Sequence, residues 1–151
     1  MTWYNVIQVI AAFFGSIGFA IILKIRGKQI TYAGIGGMLT WMIYLVVYPL
    51  VDSYFWGNLI ASLFVAVYAE VMARVNKAPA TIFLTAAAVP LIPGRNLYYM
   101  MFGLVNEDYH LAYSNGVAAL LISLAIGLGF VVIAVSNRYL NRLKYFAKEN
   151  L

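Results

Sequence analysis

Long apolar runs alternate with short polar patches along the whole chain, and no run shows the every-second-residue alternation of a half-buried strand. Five apolar stretches stand out, at about 3–23, 30–51, 54–73, 79–104 and 111–135. Each holds about 20–26 residues, enough to cross a hydrocarbon core of about 30 Å as an α-helix. A transmembrane barrel would need shorter alternating segments and is not supported. The pattern predicts an all-α, polytopic membrane protein with one integral domain over 1–151. Five transmembrane helices are expected, the fourth broken at Pro90 and Pro93-Gly94. Short linkers make consecutive helices antiparallel neighbours. The first stretch lacks both a basic leader and a small-x-small cleavage site, so it is expected to remain as the first helix.

Composition narrows the class. The chain is 64% hydrophobic and 10% charged, with no cysteine, and its mean hydropathy is +0.87. Soluble domains are about 45–50% apolar and about 25% charged. A fold of 151 residues has too little interior to hide this much apolar surface. A soluble enzyme, a disordered chain, a disulfide scaffold and a thiolate metal site are set aside.

The net charge of +5 is distributed by side rather than by patch. Lys24, Arg26 and Lys28 fill the first linker, Arg74 and Lys77 the third, and Arg138, Arg142, Lys144 and Lys148 the tail at 136–151. Asp52 marks the second linker; Glu107, Asp108 and His110 mark the fourth. The positive-inside rule then puts the N-terminus outside and the C-terminus in the cytoplasm. The bases form no continuous surface, so nucleic acid is not an expected partner. Trp3, Tyr4, Tyr48, Tyr54, Phe55 and Trp56 fall on the outer side, as interfacial anchors would.

Lipid gives helices no hydrophobic reason to associate, so close packing relies on small residues. Ala12, Ser16 and Ala20 form one ladder at steps of four, and Ala119, Ser123 and Gly127 form another. Such ladders permit homomeric or heteromeric packing. Gly34, Gly36 and Gly37 cluster in the second stretch, where they serve tight packing or flexibility for gating. Glu70 and Arg74 are spaced for an ion pair; an intramembrane carboxylate can also carry protons. Asn58 and Ser62 share a face that could line a cavity, and Asn5, Gln8, Thr40 and Asn115 are weaker polar candidates. A lone His110 and no cysteine give no metal site, and no cofactor is expected.

The fourth stretch carries the chemistry. Proline lacks a backbone donor, clashes with the preceding turn and biases the residue before it away from helix. Two prolines three apart, then glycine, should interrupt the span near mid-membrane, where bare backbone is tolerated only against protein or a wet cavity. A half-helix starting near Pro93 or Gly94 would offer free N–H groups and a positive dipole end. Arg95 and Asn96 add donors at the same place. An arginine at that depth costs about 2.5–3.5 kcal/mol on the insertion scale and calls for a partner. A carboxylate ligand fits, as at the discontinuous helices of transporters. The alternative is a kinked structural helix with Arg95 paired to Glu70, Glu107 or lipid phosphate. Pro90, Pro93, Gly94, Arg95, Asn96 and Tyr98 are the expected substrate residues, with Glu70, Asn58, Ser62 and Gly36 as candidates for coupling or gating.

The run from Ala78 to Tyr99, with Val89-Pro90-Leu91-Ile92-Pro93-Gly94 and then Tyr98, resembles the small-subunit half of the threonine/serine exporter family. The likeness in length and span layout extends over nearly the whole chain, with motif identity in about twenty residues. It implies export of small carboxylate-bearing metabolites, threonine and serine or succinate, across the bacterial inner membrane. It also implies a separate, larger membrane subunit. A substrate role for Arg95 rests on the physical reasoning alone. Pairing with a five-span half of reverse orientation would create an inverted repeat with a midplane site.

Other functions compete. A non-transporting scaffold or regulatory subunit would depend on the small-residue ladders and the basic tail, which could meet anionic lipid. A channel lined by a broken helix would show linear flux instead of saturable exchange. An intramembrane enzyme finds no Ser/His/Asp set, HExxH or paired catalytic Asp.

Overall fold

The computed structural model describes residues 3–149, with side chains at 3–139 and 142. Lys144 and Lys148, assigned to the basic tail, lie outside the described side chains. The described chain is all-helical: α1 (Trp3–Ile22), α2 (Gln29–Val51), α3 (Tyr54–Asn76), α4 (Ala80–Ala87), a 3-10 turn at Val89–Leu91, α5 (Gly94–Val105) and α6 (Tyr109–Glu149). α1, α2, α3 and α6 are each long and apolar enough to cross a membrane. The pair Ala80–Leu91 and Gly94–Val105 makes a fifth when counted as one span, bent by 52°.

Helices turn sharply at left-handed residues. Lys24, Asp52, Lys77 and Glu107 all have φ between 43° and 59°. At Asp52 and Lys77 the backbone N–H returns to the carbonyls of Tyr48 and Ala73, closing the helix end. Such tight reversals produce the antiparallel neighbours that the short linkers predict. α1 packs on α2, α2 on α3, and α3 on α6. α4 sits between α2 and α3, while α5 leans onto α6.

The core is made mostly of small residues, with Phe83 and Val65 the large, fully buried exceptions. Ala20, Ala33, Ala61, Ala69, Ala86, Ala87, Ser16 and Ser62 are fully or almost fully buried, while Phe14, Ile22, Leu50, Leu120, Leu124 and Val131 point outward. That inversion suits a lipid solvent, where large apolar side chains gain nothing by turning inward. Glycines in α2 are contact points, and the helix runs unbroken through them. A β-carbon on Gly36 would lie 2.5 Å from the Tyr68 ring and 2.8 Å from Ala87. The Tyr68 hydroxyl also donates to the Tyr32 carbonyl at 2.6 Å, tying α3 to the start of α2.

One expectation about the last helix needs correction. It extends to Glu149 as one helix of 41 residues, well past 135, because no proline or glycine follows Gly129 to stop it. At 1.5 Å per residue this is about 60 Å, twice the hydrocarbon thickness. Only part of its small-residue ladder is inside. Ala119 is buried, but Ser123 and Gly127 are exposed, and the packed face instead carries Ala112, Ile122, Ala125 and Gly129.

Candidate functional site

The break is built by the two prolines in different ways. Pro90 occupies the first turn of the 3-10 segment, where its missing N–H is not needed. Leu91 and Ile92 donate to the carbonyls of Ala88 and Val89 at 2.9 and 3.1 Å, so the chain stays wound there. Ile92, preceding Pro93, swings to φ −59°, ψ 127°, the extended conformation that a following proline imposes. Helix restarts at Gly94, and its first α-type bond runs from the Leu97 N–H to the Pro93 carbonyl at 3.0 Å. The amides of Arg95 and Asn96 have no backbone acceptor among the described residues.

Behind this break lies a cavity of about 440 Å³. α5 contributes Arg95 and Asn96, the break contributes Pro90 through Pro93, and α3 contributes Tyr54 and Asn58. An aromatic wall rises on α2. Trp41 stacks on Tyr44 at 4.9 Å, Tyr44 on Tyr48 at 5.5 Å, and Tyr48 meets Tyr54 of α3 at 5.3 Å. Gln8 of α1 and Ile122 of α6 complete the lining. The helical spacing 41, 44 or 45, and 48 puts these α2 side chains on one face.

Arg95 is the single cation of the lining, and no acidic residue accompanies it. The Arg95 guanidinium lies 5.7 Å from the centre of the Tyr99 ring one turn on. No carboxylate pairs with it among the described residues: Glu70 pairs with Arg74 at 3.9 Å, and Arg74 also donates to Asn137 at 3.3 Å. Asn58 donates through its Nδ2 to the Tyr54 carbonyl at 2.8 Å, and its Oδ1 has no partner among the described residues. Pro49, in the last turn of α2, removes the donor that would otherwise meet the Leu45 carbonyl, and Leu45 also lines the cavity.

A family model for "Threonine/Serine exporter, ThrE" matches residues 8–136, which takes in the break and every cavity residue. The chain belongs to the threonine/serine exporter family. No curated protein and no solved structure matches it. The exporter family and the apolar helices together make this a membrane protein of exporter type.

Within this exporter the expected site residues divide. Pro90, Pro93, Arg95, Asn96 and Asn58 line one cavity. Gly94 and Tyr98 do not; Tyr98 is exposed and stacks on Phe102 at 6.2 Å. Ser62, expected to share the cavity face with Asn58, sits in the α3–α6 seam, bonded to the Leu59 and Ala125 carbonyls at 2.8 and 3.4 Å. Glu70 stands at the far end of α3, and Gly36 serves the packing of α2 on α3 and α4. Trp41, Tyr44 and Leu45 were missed. Trp41 and Tyr44 show in the sequence only as an aromatic repeat at helical spacing inside an apolar run, and Leu45 carries no signal at all. Tyr48 and Tyr54, read as interfacial anchors, line the cavity as well.

Proposed function

We propose that the chain is one subunit of a secondary transporter exporting small carboxylate-bearing metabolites, either threonine and serine or a dicarboxylate such as succinate, across the bacterial inner membrane. The observation carrying this is Arg95, without an ion-pair partner among the described residues, on a cavity wall beside the open amides of α5. A carboxylate there would accept from the guanidinium, from the Asn96 amide and from the helix N-terminus, all charge-assisted bonds. The Asn58 Oδ1 and the Leu45 carbonyl are acceptors suited to an ammonium or hydroxyl at the substrate's other end. Pro90, Pro93 and Gly94 shape the break, and Tyr98 flanks it.

The bend supports a crossing. A deflection of 52° carries the chain onward, whereas a hairpin returning to its own side needs a near-complete reversal. Five crossings with the basic linkers inside put the N-terminus out and the C-terminus in. A larger subunit of the same family, in reverse orientation, would supply the second half of an inverted repeat. A dry, continuous fourth span would favour the scaffold or regulatory reading, and the break with its cavity is not that.

The test is efflux of labelled threonine and succinate from cells that carry both subunits, and from cells that carry this chain alone. Export should require both and should fall sharply with Arg95→Ala. Robust, saturable export by the lone chain would contradict the subunit role. Unchanged efflux in Arg95→Ala would remove the carboxylate site.

A further inference from the structure

A second, smaller recess of about 250 Å³ adjoins the cavity and is lined by Gln8, Ala11, Ala12, Trp41 and Pro90. Gln8, Trp41 and Pro90 line both spaces, so these three residues are the wall between them. Trp41 is the bulk of that wall, and its indole is fixed on two sides. Its Nε1–H donates to Gln8 Oε1 at 3.2 Å, across α1 and α2. Its ring plane lies 25° from that of Tyr44, with centres 4.9 Å apart. A glutamine side chain in an apolar span is costly unless its amide is used. Here it holds a tryptophan in position.

We infer that Trp41, latched by Gln8, is the specificity-determining partition of this exporter: it ends the cavity and limits the bulk of the carboxylate that fits between itself and Arg95. The inference rests on the carboxylate-site reading. Without the indole the cavity opens into this shallower, more exposed recess, where Ala11, Ala12 and Pro90 offer apolar contact and no charge. The enlarged space favours substrates with larger apolar side chains over small polar ones. Loss of the latch alone leaves the ring in place but free to swing, giving a smaller change in the same direction.

Lipid nanodiscs that carry this chain together with the larger subunit are given labelled threonine and labelled succinate. Whichever binds saturably is displaced by threonine, leucine and phenylalanine. Trp41→Ala should improve phenylalanine relative to threonine by about tenfold or more, the discrimination an apolar pocket ordinarily supplies. Gln8→Leu should shift the ratio the same way by less. Trp41→Ala combined with Ala11→Phe, which refills the recess, should bring the ratio back towards that of the wild type. An unchanged ratio in both Trp41→Ala and Gln8→Leu, with saturable binding intact, overturns the partition and leaves the carboxylate site standing. Absence of saturable binding of either label by the wild type overturns the carboxylate site, and the partition with it.

Discussion

Ser16 of α1 occupies the space that a side chain on Gly37 of α2 would fill. A β-carbon at Gly37 would lie 2.7 Å from the Ser16 β-carbon and closer still to its hydroxyl, and that hydroxyl is buried without a hydrogen-bond partner among the described residues. The α1–α2 seam is therefore set by backbone approach, the mode of association available in lipid. Gly37→Ala should destabilise the protein by about 1–3 kcal/mol, the usual range for overpacking. Gly15→Ala faces open space on the same helix pair and should lose nothing. Ser16→Gly should rescue Gly37→Ala. Thermal unfolding of the four proteins in detergent checks this, and equal midpoints for Gly37→Ala and Gly15→Ala would show a looser seam.

Pro90 and Pro93 should behave differently although they are three residues apart. Pro90 sits where a helical turn begins, so Pro90→Ala should change stability little and leave the break in place. Pro93 enforces the extended Ile92 that separates the 3-10 turn from α5. Pro93→Ala permits continuous helix, a change worth up to about 3 kcal/mol where proline had interrupted it. It should raise thermal stability while lowering export, because the amides of Arg95 and Asn96 would then be consumed within the helix. Amide hydrogen exchange at 94–97 reads this directly. Equal exchange in Pro93→Ala and the wild type would show that something other than Pro93 holds the break.

Arg95 is expected to act through charge and fork geometry together. Arg95→Gln keeps the bulk and should weaken substrate binding by about tenfold to a hundredfold, the worth of a charge-assisted hydrogen bond. Arg95→Lys keeps the charge but not the bidentate fork and should fall between the two. The loss should appear in the half-saturating substrate concentration more than in protein yield, since Arg95 makes no ion pair within the described residues. A yield collapse in Arg95→Gln with unchanged affinity in the surviving protein would assign the residue to structure instead.

The spans and the break were legible because they depend on local chemistry: apolar run length, and what proline and glycine do to a helix. The Ala12–Ser16–Ala20 ladder was legible for the same reason, small residues at steps of four. Trp41 and Tyr44 were not, since an aromatic in an apolar span reads alike whether it faces lipid or a cavity. Only tertiary packing distinguishes the two. Tyr48 and Tyr54, read as interfacial anchors, also line the cavity, a contact that their position near the helix ends does not signal. Ser62 and Asn58 are one turn apart, yet one is consumed by the α3–α6 seam and the other faces the cavity. That division follows from where Gly129 of α6 lets the helices approach, against the Ser62 side chain. Asn58 itself was found because a polar side chain in an apolar helix must be satisfied somewhere.

Because the sequence has no cysteine, single introduced cysteines report directly on which side each turn lies. Single cysteines at Ser53 and Asn106, beside the left-handed Asp52 and Glu107, should react with an impermeant maleimide added to intact spheroplasts. Cysteines at Gly27 and Lys77 should react only after the membrane is opened. The two outer positions differ in what they report. Ser53 follows α2 directly, so its side depends on the first two crossings alone. Asn106 follows the bent pair, and its side depends on whether that pair traverses. At about 1.5 Å per residue, α4, the 3-10 turn and α5 have length enough for a traverse even with a bend of 52°. Labelling of position 106 together with 77 would mean that the chain turns back at Pro93. The basic end of α6 would then face outward, against the charge rule, and the inverted pairing with a second subunit would lose its basis.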